Sequence, residues 1–169
     1  PRIIRWYSNL LSKRRVTSTF QGDTREIKPK RGTPQGGVLS PLAWNLAINS
    51  LLVHFQHKAV MAVGFADDLI LLIRGTNPKN MARKMQKAID KSMAWAEEKG
   101  VSFGSSKTQC VIFHNKQKRN APNFPPLKMG SNKLPYSEEM IYLGVTLDRR
   151  LNWKAHIMKK CLKAKRLLH

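Results

Sequence analysis

The sequence predicts an α+β fold on three observations. Apolar residues recur at helical spacing in four segments, short apolar or alternating runs bounded by Gly, Asn or Pro lie between them, and 41% of the 169 residues are apolar, enough to bury a core. Against that ordinary core stands an unusual charge: 31 Lys and Arg against 10 Asp and Glu, a net +21. In a chain able to fold, a field of this size favours a polyanionic partner, and nucleic acid above all.

The elements follow in order. Ile3, Ile4, Trp6, Tyr7, Leu10 and Leu11 form a helical stripe up to Lys13. Arg15 to Phe20 and Arg25 to Lys28 alternate around Gly22-Asp23 and read as a hairpin. The next helix takes Ser40 as its N-cap and Pro41 as its first residue, with Leu42, Leu46 and Val53 at helical spacing and an end near His57. Ala59 to Ala66 and Leu69 to Ile73 are short, continuous apolar runs that suit two buried strands, with Asp67-Asp68 at or near the turn between them. Asn77-Pro78 open a long amphipathic helix with Met81, Met85, Ala88, Ile89, Met93 and Ala96 on one face, ended by Gly100. Cys110 to Phe113 is a strand, and the Lys-, Asn- and Pro-rich stretch from His114 to Pro126 a loop. Leu127 to Met129 pairs with Lys133 to Tyr136 around Gly130, and Met140 to Leu147 is one further strand. Asn152 caps a last helix with Trp153, Ile157, Cys161 and Ala164 inward and Lys154, Lys159, Lys163 and Arg166 outward.

Several classes are excluded at this stage. Cys110 and Cys161 are too few and too far apart for a disulfide framework or a CxxC zinc site. The most apolar stretch, from Val38 to Val53, carries Pro41, Asn45 and Asn49 and falls short of the ~20 apolar residues of a membrane span. With no charged-then-apolar leader, the chain is expected inside the cell, in the nucleus or the cytoplasm, and its start at Pro1 is expected of a piece of a longer product.

Charge then points to the chemistry. Basic residues crowd the two ends and the segment from Arg74 to Arg119, whereas residues 41–73 contain only Lys58, Asp67 and Asp68 as charged groups. Two adjacent carboxylates in an apolar hairpin call for a neutralising partner such as Mg²⁺, with Asp67 aimed at the metal; a solvated turn fits the same residues. Likewise Arg31-Gly32-Thr33-Pro34-Gln35-Gly36-Gly37 leads into a helix N-terminus, where free N–H groups suit a phosphate or a nucleotide sugar, although a ligand-free joint would look no different. His54 and His57 share a helix face without a third ligand near in sequence, and the four tryptophans, Trp6, Trp44, Trp95 and Trp153, read as packing residues.

Together, RGTPQGGVLSP, GFADDLILL, SSKTQCVIF and IYLGVTLDRRLNWKAHI resemble, in order, the central and later motifs of reverse transcriptases. Trp44-Asn45-Leu46 with Asn49, YLGVTLD and LNWKAHI point to the non-LTR, LINE-type group with Jockey-like members. The resemblance implies a partial polymerase domain: a palm-type antiparallel sheet packed on helices over residues 1–147, then the start of a basic thumb helix over 148–169. It implies an RNA-directed DNA polymerase that adds dNTPs to a primer 3′-OH on an RNA template in a Mg²⁺-dependent reaction. By position, Asp67 would be a metal ligand with Asp68 beside it, and Lys107 a proton donor to the leaving pyrophosphate or else a surface lysine. Gln35 and Gly36 would contact the incoming nucleotide, Arg31 and Pro34 would shape that loop next to the template, and Leu143-Gly144 would grip the primer. The partners implied are RNA template, DNA primer and dNTPs, and no membrane.

The sequence also departs from that pattern. Phe65 stands where many relatives have Tyr, and Ser105-Ser106 precede Lys107 where Asn or Pro is frequent. Before Gln35 the acids are Asp23 and Glu26, neither in the strand context of the second metal-binding carboxylate. That carboxylate and the fingers are therefore expected outside these residues, and the 169 residues alone are expected to be inactive. The competing expectation is a non-catalytic RNA-binding module that retains the fold.

Overall fold

The structure, a computed structural model, describes residues 1–56, 58–114 and 123–167. Two compact units divide the chain: Pro1–His54 with Val63–Leu69, and Phe55–Ala62 with Ile70–His169. No described helix is long and apolar enough to cross a membrane.

In the first unit α1 (Arg2–Ser12) forms as its stripe predicts, yet none of its residues is buried, and Ile3, Ile4 and Trp6 are exposed. β1 (Val16–Phe20) and β2 (Asp23–Ile27) form the expected hairpin in a register that pairs Phe20 with Asp23. Its turn is therefore Gln21-Gly22, one residue earlier than expected. Both have positive φ, +50° and +89°, which is the left-handed pair a type I′ hairpin turn uses.

α2 (Ser40–Leu52) is followed by a single 3₁₀ turn, Val53–Phe55, so the regular helix stops short of the expected end; His57 and the His54/His57 pairing lie outside the described residues. Leu39, not Ser40, is the N-cap, and it makes no side-chain cap bond. Ile48 and Leu51 are the buried residues of α2. β3 (Val60–Phe65) and β4 (Asp68–Ile73) are joined by a two-residue turn, Ala66-Asp67. The expectation of buried strands is corrected: Val60 alone among their residues is buried, and along β3 exposed residues alternate with covered ones, so one face is open to water. The tip, residues 63–69, belongs to the first unit. There Gly64 lies against α2, and a Cβ at 64 would stand 3.5 Å from Leu52 Cδ1 and 3.7 Å from Ile48 Cγ1.

The second unit is built on α3 (Pro78–Lys99), whose start and stop signals both act as read. Asn77 Oδ1 accepts the Asn80 N–H at 3.0 Å, and Gly100 ends the helix at φ +67°. Ala82 and Ile89 pack with Leu127 and Leu134, and Leu71, Met85, Met93 and Tyr136 surround them. Those leucines come from β6 (Leu127–Met129) and β7 (Asn132–Leu134), a hairpin turning at Gly130-Ser131. The Gln86 amide pairs with the β6 backbone at Lys128 as a strand would, one bond in each direction, both 2.9 Å.

β5 is shorter than expected, Cys110–Val111, because its partner β8 (Tyr136–Ser137) is only two residues long; the two run parallel. Met140 to Leu147 is not one strand. It is a hairpin of β9 (Glu139–Tyr142) and β10 (Val145–Asp148), broken at Leu143-Gly144 with φ +48° and +77°. The unbroken apolar pattern hides a turn that Gly144 makes accessible. α4 (Lys154–Leu167) ends the description, with Asn152 Oδ1 accepting the Lys154 N–H at 3.0 Å. Its predicted inward residues, Trp153, Ile157 and Cys161, are exposed. Polar groups hold it instead: His156 Nδ1 accepts the Thr146 N–H at 3.1 Å, and Lys159 pairs with Glu139.

Of the palm-type antiparallel sheet packed on helices that the resemblance implies, the described residues show five two-stranded sheets, four of adjacent strands and one of β5 with β8. Most strands pair with their sequence neighbour, and β6 and β10 pack on the helices of their own unit, α3 and α4. What stands is a mixture of helices and small sheets.

Candidate functional site

Within the first unit the Gly-rich segment is a defined turn. Gly37 N–H donates to the Pro34 carbonyl at 3.1 Å and Gly36 sits at φ +78°, the conformation a type II turn asks of its third residue. Ser40, expected as a cap, does something else: its Oγ donates to the same Pro34 oxygen at 2.6 Å and fastens the turn to the first residue of α2. Gly37, read in the sequence only as part of the Gly-rich run, is required by that contact. A Cβ there would meet Ser40 Oγ at 2.6 Å and Pro34 O at 3.2 Å. Upstream, Arg14 Nη2 donates to the carbonyls of Arg31 (3.2 Å) and Gly32 (2.9 Å). Arg14 thus orders the backbone at Arg31, while the Arg31 and Gln35 side chains are exposed. No sequence signal marks Arg14, because its partners are backbone carbonyls 17 and 18 residues away.

Asp67 and Asp68 lie at the tip of the β3–β4 hairpin and both are exposed. The expectation of a carboxylate pair desolvated inside an apolar hairpin is therefore corrected, since apolar neighbours in sequence leave the tip open to water. Ala66, before Asp67, has φ +49°, and its carbonyl accepts the indole N–H of Trp44 on α2. Among the described residues no group of three or more His, Cys, Asp or Glu could hold a metal ion. Two exposed adjacent carboxylates still fit Mg²⁺, which is commonly held by one or two carboxylates with substrate phosphates and waters completing its shell.

The second unit positions the remaining predicted residues. Lys107 is exposed on a turn in which its own N–H and the Thr108 hydroxyl bond to the Gly104 carbonyl, at 3.1 and 2.9 Å. Gln109 Oε1 accepts the Ile141 N–H at 3.2 Å, tying this segment to β9. Leu143 and Gly144 form the exposed tip of the β9–β10 hairpin. The cations of α4, Lys154, Lys160, Lys163, Lys165 and Arg166, are exposed, whereas Lys159 is engaged by Glu139. The run from Lys116 to Arg119 lies outside the described residues. Of the tryptophans, Trp95 is buried and stacks near Phe103, Trp44 is half-buried, and Trp6 and Trp153 are exposed rather than packed. Beneath this surface burial pushes the Cys110 thiol up. Burial, then the neighbouring Cys110, raises the Tyr136 hydroxyl to about 12, and its proton is donated to the Pro125 carbonyl at 2.7 Å.

A turn fastened to the start of α2 and an exposed carboxylate pair on a hairpin bonded to the same helix, in a chain of net charge +21, suit a phosphate-bearing ligand. The profile of the reverse transcriptase (RNA-dependent DNA polymerase) family matches residues 1–147, and the chain belongs to that family. Its relatives are of the LINE type that the motifs indicate. It is 28% identical over 152 residues to the "Putative 115 kDa protein in type-1 retrotransposable element R1DM" of Drosophila melanogaster, covering 90% of this chain and 14% of the relative. It is 25% identical over 163 residues to the "RNA-directed DNA polymerase from mobile element jockey" of the same organism, covering 93% of this chain and 17% of that protein. With the "Probable RNA-directed DNA polymerase from transposon X-element", also of Drosophila melanogaster, it shares 33% identity over 129 residues, 75% of this chain and 14% of the relative. The chain thus spans about a seventh of the length of these curated relatives. No solved structure matches it.

Proposed function

We propose that residues 1–147 are part of the palm, and 148–169 the start of the thumb, of an RNA-directed DNA polymerase that extends a primer 3′-end on an RNA template. The observation that carries this reading is the pairing, on one helix, of the Pro34–Gly37 turn and the Ala66-Asp67 turn through hydrogen bonds from Ser40 and Trp44. In the proposal Asp67, supported by Asp68, is the metal-binding carboxylate, and a further carboxylate comes from outside these residues. When bound, Mg²⁺ supplies charge stabilisation to the attacking 3′-oxygen and the leaving pyrophosphate.

The chain's own residues do the rest. The exposed Gln35 side chain and the open backbone at Gly36 meet the nucleotide, Arg31 and Pro34 shape the loop against the template, and Lys107 holds a proton at Nζ for the pyrophosphate. Leu143-Gly144 presses on the primer end, and the α4 cations hold phosphates without reading bases. Affinity for template-primer then falls steeply with salt, since each neutralised phosphate releases counterions. The proposed setting is the nucleus or cytoplasm, with no membrane partner.

The test is Mg²⁺-dependent dNTP incorporation on a primed RNA template. A longer polypeptide carrying the upstream polymerase region incorporates, its Asp67→Asn variant does not, and the 169 residues alone are inactive. Full activity in Asp67→Asn would overturn the assignment and leave an RNA-binding module of the same fold as the reading.

A further inference from the structure

Ser40, Trp44, Ile48 and Leu52 follow one another at a spacing of four and form a single ridge along α2. The first two meet the two turns, and the last two lie under the strand that leads into the second turn. Ser40 Oγ donates to the Pro34 carbonyl, Trp44 Nε1 donates to the Ala66 carbonyl, and Ile48 and Leu52 lie 3.7 and 3.5 Å from where a side chain at Gly64 would begin. Both hydrogen bonds go to main-chain oxygens, so they fix backbone, not side chains. The Ala66 turn needs such a restraint, because a non-glycine residue at φ +49° is in the left-handed region that L side chains rarely adopt. The bond also falls on the peptide that leads directly into Asp67, whose carboxylate follows wherever that peptide is turned.

We infer that Trp44 is a positioning residue: its indole N–H holds the Ala66 turn, and thereby sets the place of the Asp67 carboxylate relative to the nucleotide turn that Ser40 holds one helical turn earlier. The inference rests on the catalytic reading of Asp67. Trp44 touches no substrate, and its effect passes through Ala66. A phenylalanine at this position keeps the ring and removes only the N–H.

The experiment has two arms. In the 169-residue chain, the Trp44 indole N–H is followed by NMR hydrogen exchange; it exchanges markedly more slowly than a free indole, and exchange at free-indole rates overturns the inference whether or not any variant folds. In the longer, active polypeptide, Trp44→Phe lowers kcat by about tenfold and raises the Mg²⁺ concentration for half-maximal rate, as expected when a reacting group is misplaced. Its affinity for template-primer and its melting temperature stay near those of the parent. A merely structural residue would lower stability and template-primer affinity and leave the Mg²⁺ midpoint unchanged, and that result also overturns the inference. If Asp67→Asn remains active, the catalytic reading itself has failed; if Asp67→Asn is dead and Trp44→Phe matches the parent in kcat and Mg²⁺ midpoint, only the role of Trp44 has failed.

Discussion

Two turns of the same class sit in the two units. In the second, β6 and β7 are joined by Gly130-Ser131 with φ positive at the first residue, +60°, and open space around it. In the first, β3 and β4 are joined by Ala66-Asp67, again with φ positive only at the first residue, +49°. This is the II′ pattern, which asks for Gly at that place. Gly130 adopts it freely, whereas Ala66 is held there against a cost of about 1–2 kcal/mol. The easy turn carries a core hairpin and no chemistry. The strained one carries Asp67, and it has the indole bond from Trp44 and a helix ridge beneath it. A left-handed residue held by its surroundings is a pointer to function, and this one directly precedes the carboxylate of the proposed site.

The largest effect is expected from removing the support of the strained turn. Ile48→Ala takes a buried side chain from the ridge under Gly64 and should cost about 2–5 kcal/mol in denaturant unfolding. Next, Gly130→Ala forces on the easy turn the strain that Ala66 already bears. No atom is in the way of the new methyl, so the loss should be conformational only, about 1–2 kcal/mol. Ala66→Gly should do the reverse on a smaller scale: strain relief offset by the greater freedom of glycine in the unfolded chain leaves a net gain of about 0.5 kcal/mol. An equal loss at both turns on substitution would erase the contrast.

The smallest effects concern chemistry under the second unit. Because burial raises Cys110 while Cys161 is exposed, iodoacetamide should alkylate Cys161 first. Tyr136 ionises in the folded state only near 12, against a usual value of 10.0. Its folded-state pKa is raised, so its contribution is intact below pH 10 and is lost as the pH rises through about 12. Alkaline unfolding monitored by tyrosinate absorbance should show that loss, and Tyr136→Phe should remove it.

Much of this molecule is legible in its sequence, for identifiable reasons. α3 announces both ends, Asn77 by its side-chain cap and Gly100 by its left-handed stop, and the β1–β2 and β6–β7 hairpins turn at glycines. The turn-bearing residues Gln35, Gly36, Asp67 and Asp68 are legible as motifs. What escapes is set by partners distant in sequence. Trp44 bonds a carbonyl 22 residues away and Arg14 carbonyls 17 and 18 away, and no pattern encodes a backbone acceptor. Apolar runs mislead in two ways: Met140 to Leu147 conceals the Leu143-Gly144 turn, and the runs flanking Asp67-Asp68 do not bury that pair. α4 shows the same limit, since its hold on β10 and β9 is made by His156 and Lys159 rather than by its apolar stripe.

In the proposed function the strained turn presents Asp67 to a metal. Mn²⁺ binding, read by electron paramagnetic resonance in the longer polymerase with template-primer and dNTP present, tests it directly. Asp67→Asn is expected to weaken Mn²⁺ binding by at least about tenfold, the scale set by altering groups around a metal. Unchanged Mn²⁺ affinity in a folded Asp67→Asn protein would contradict it.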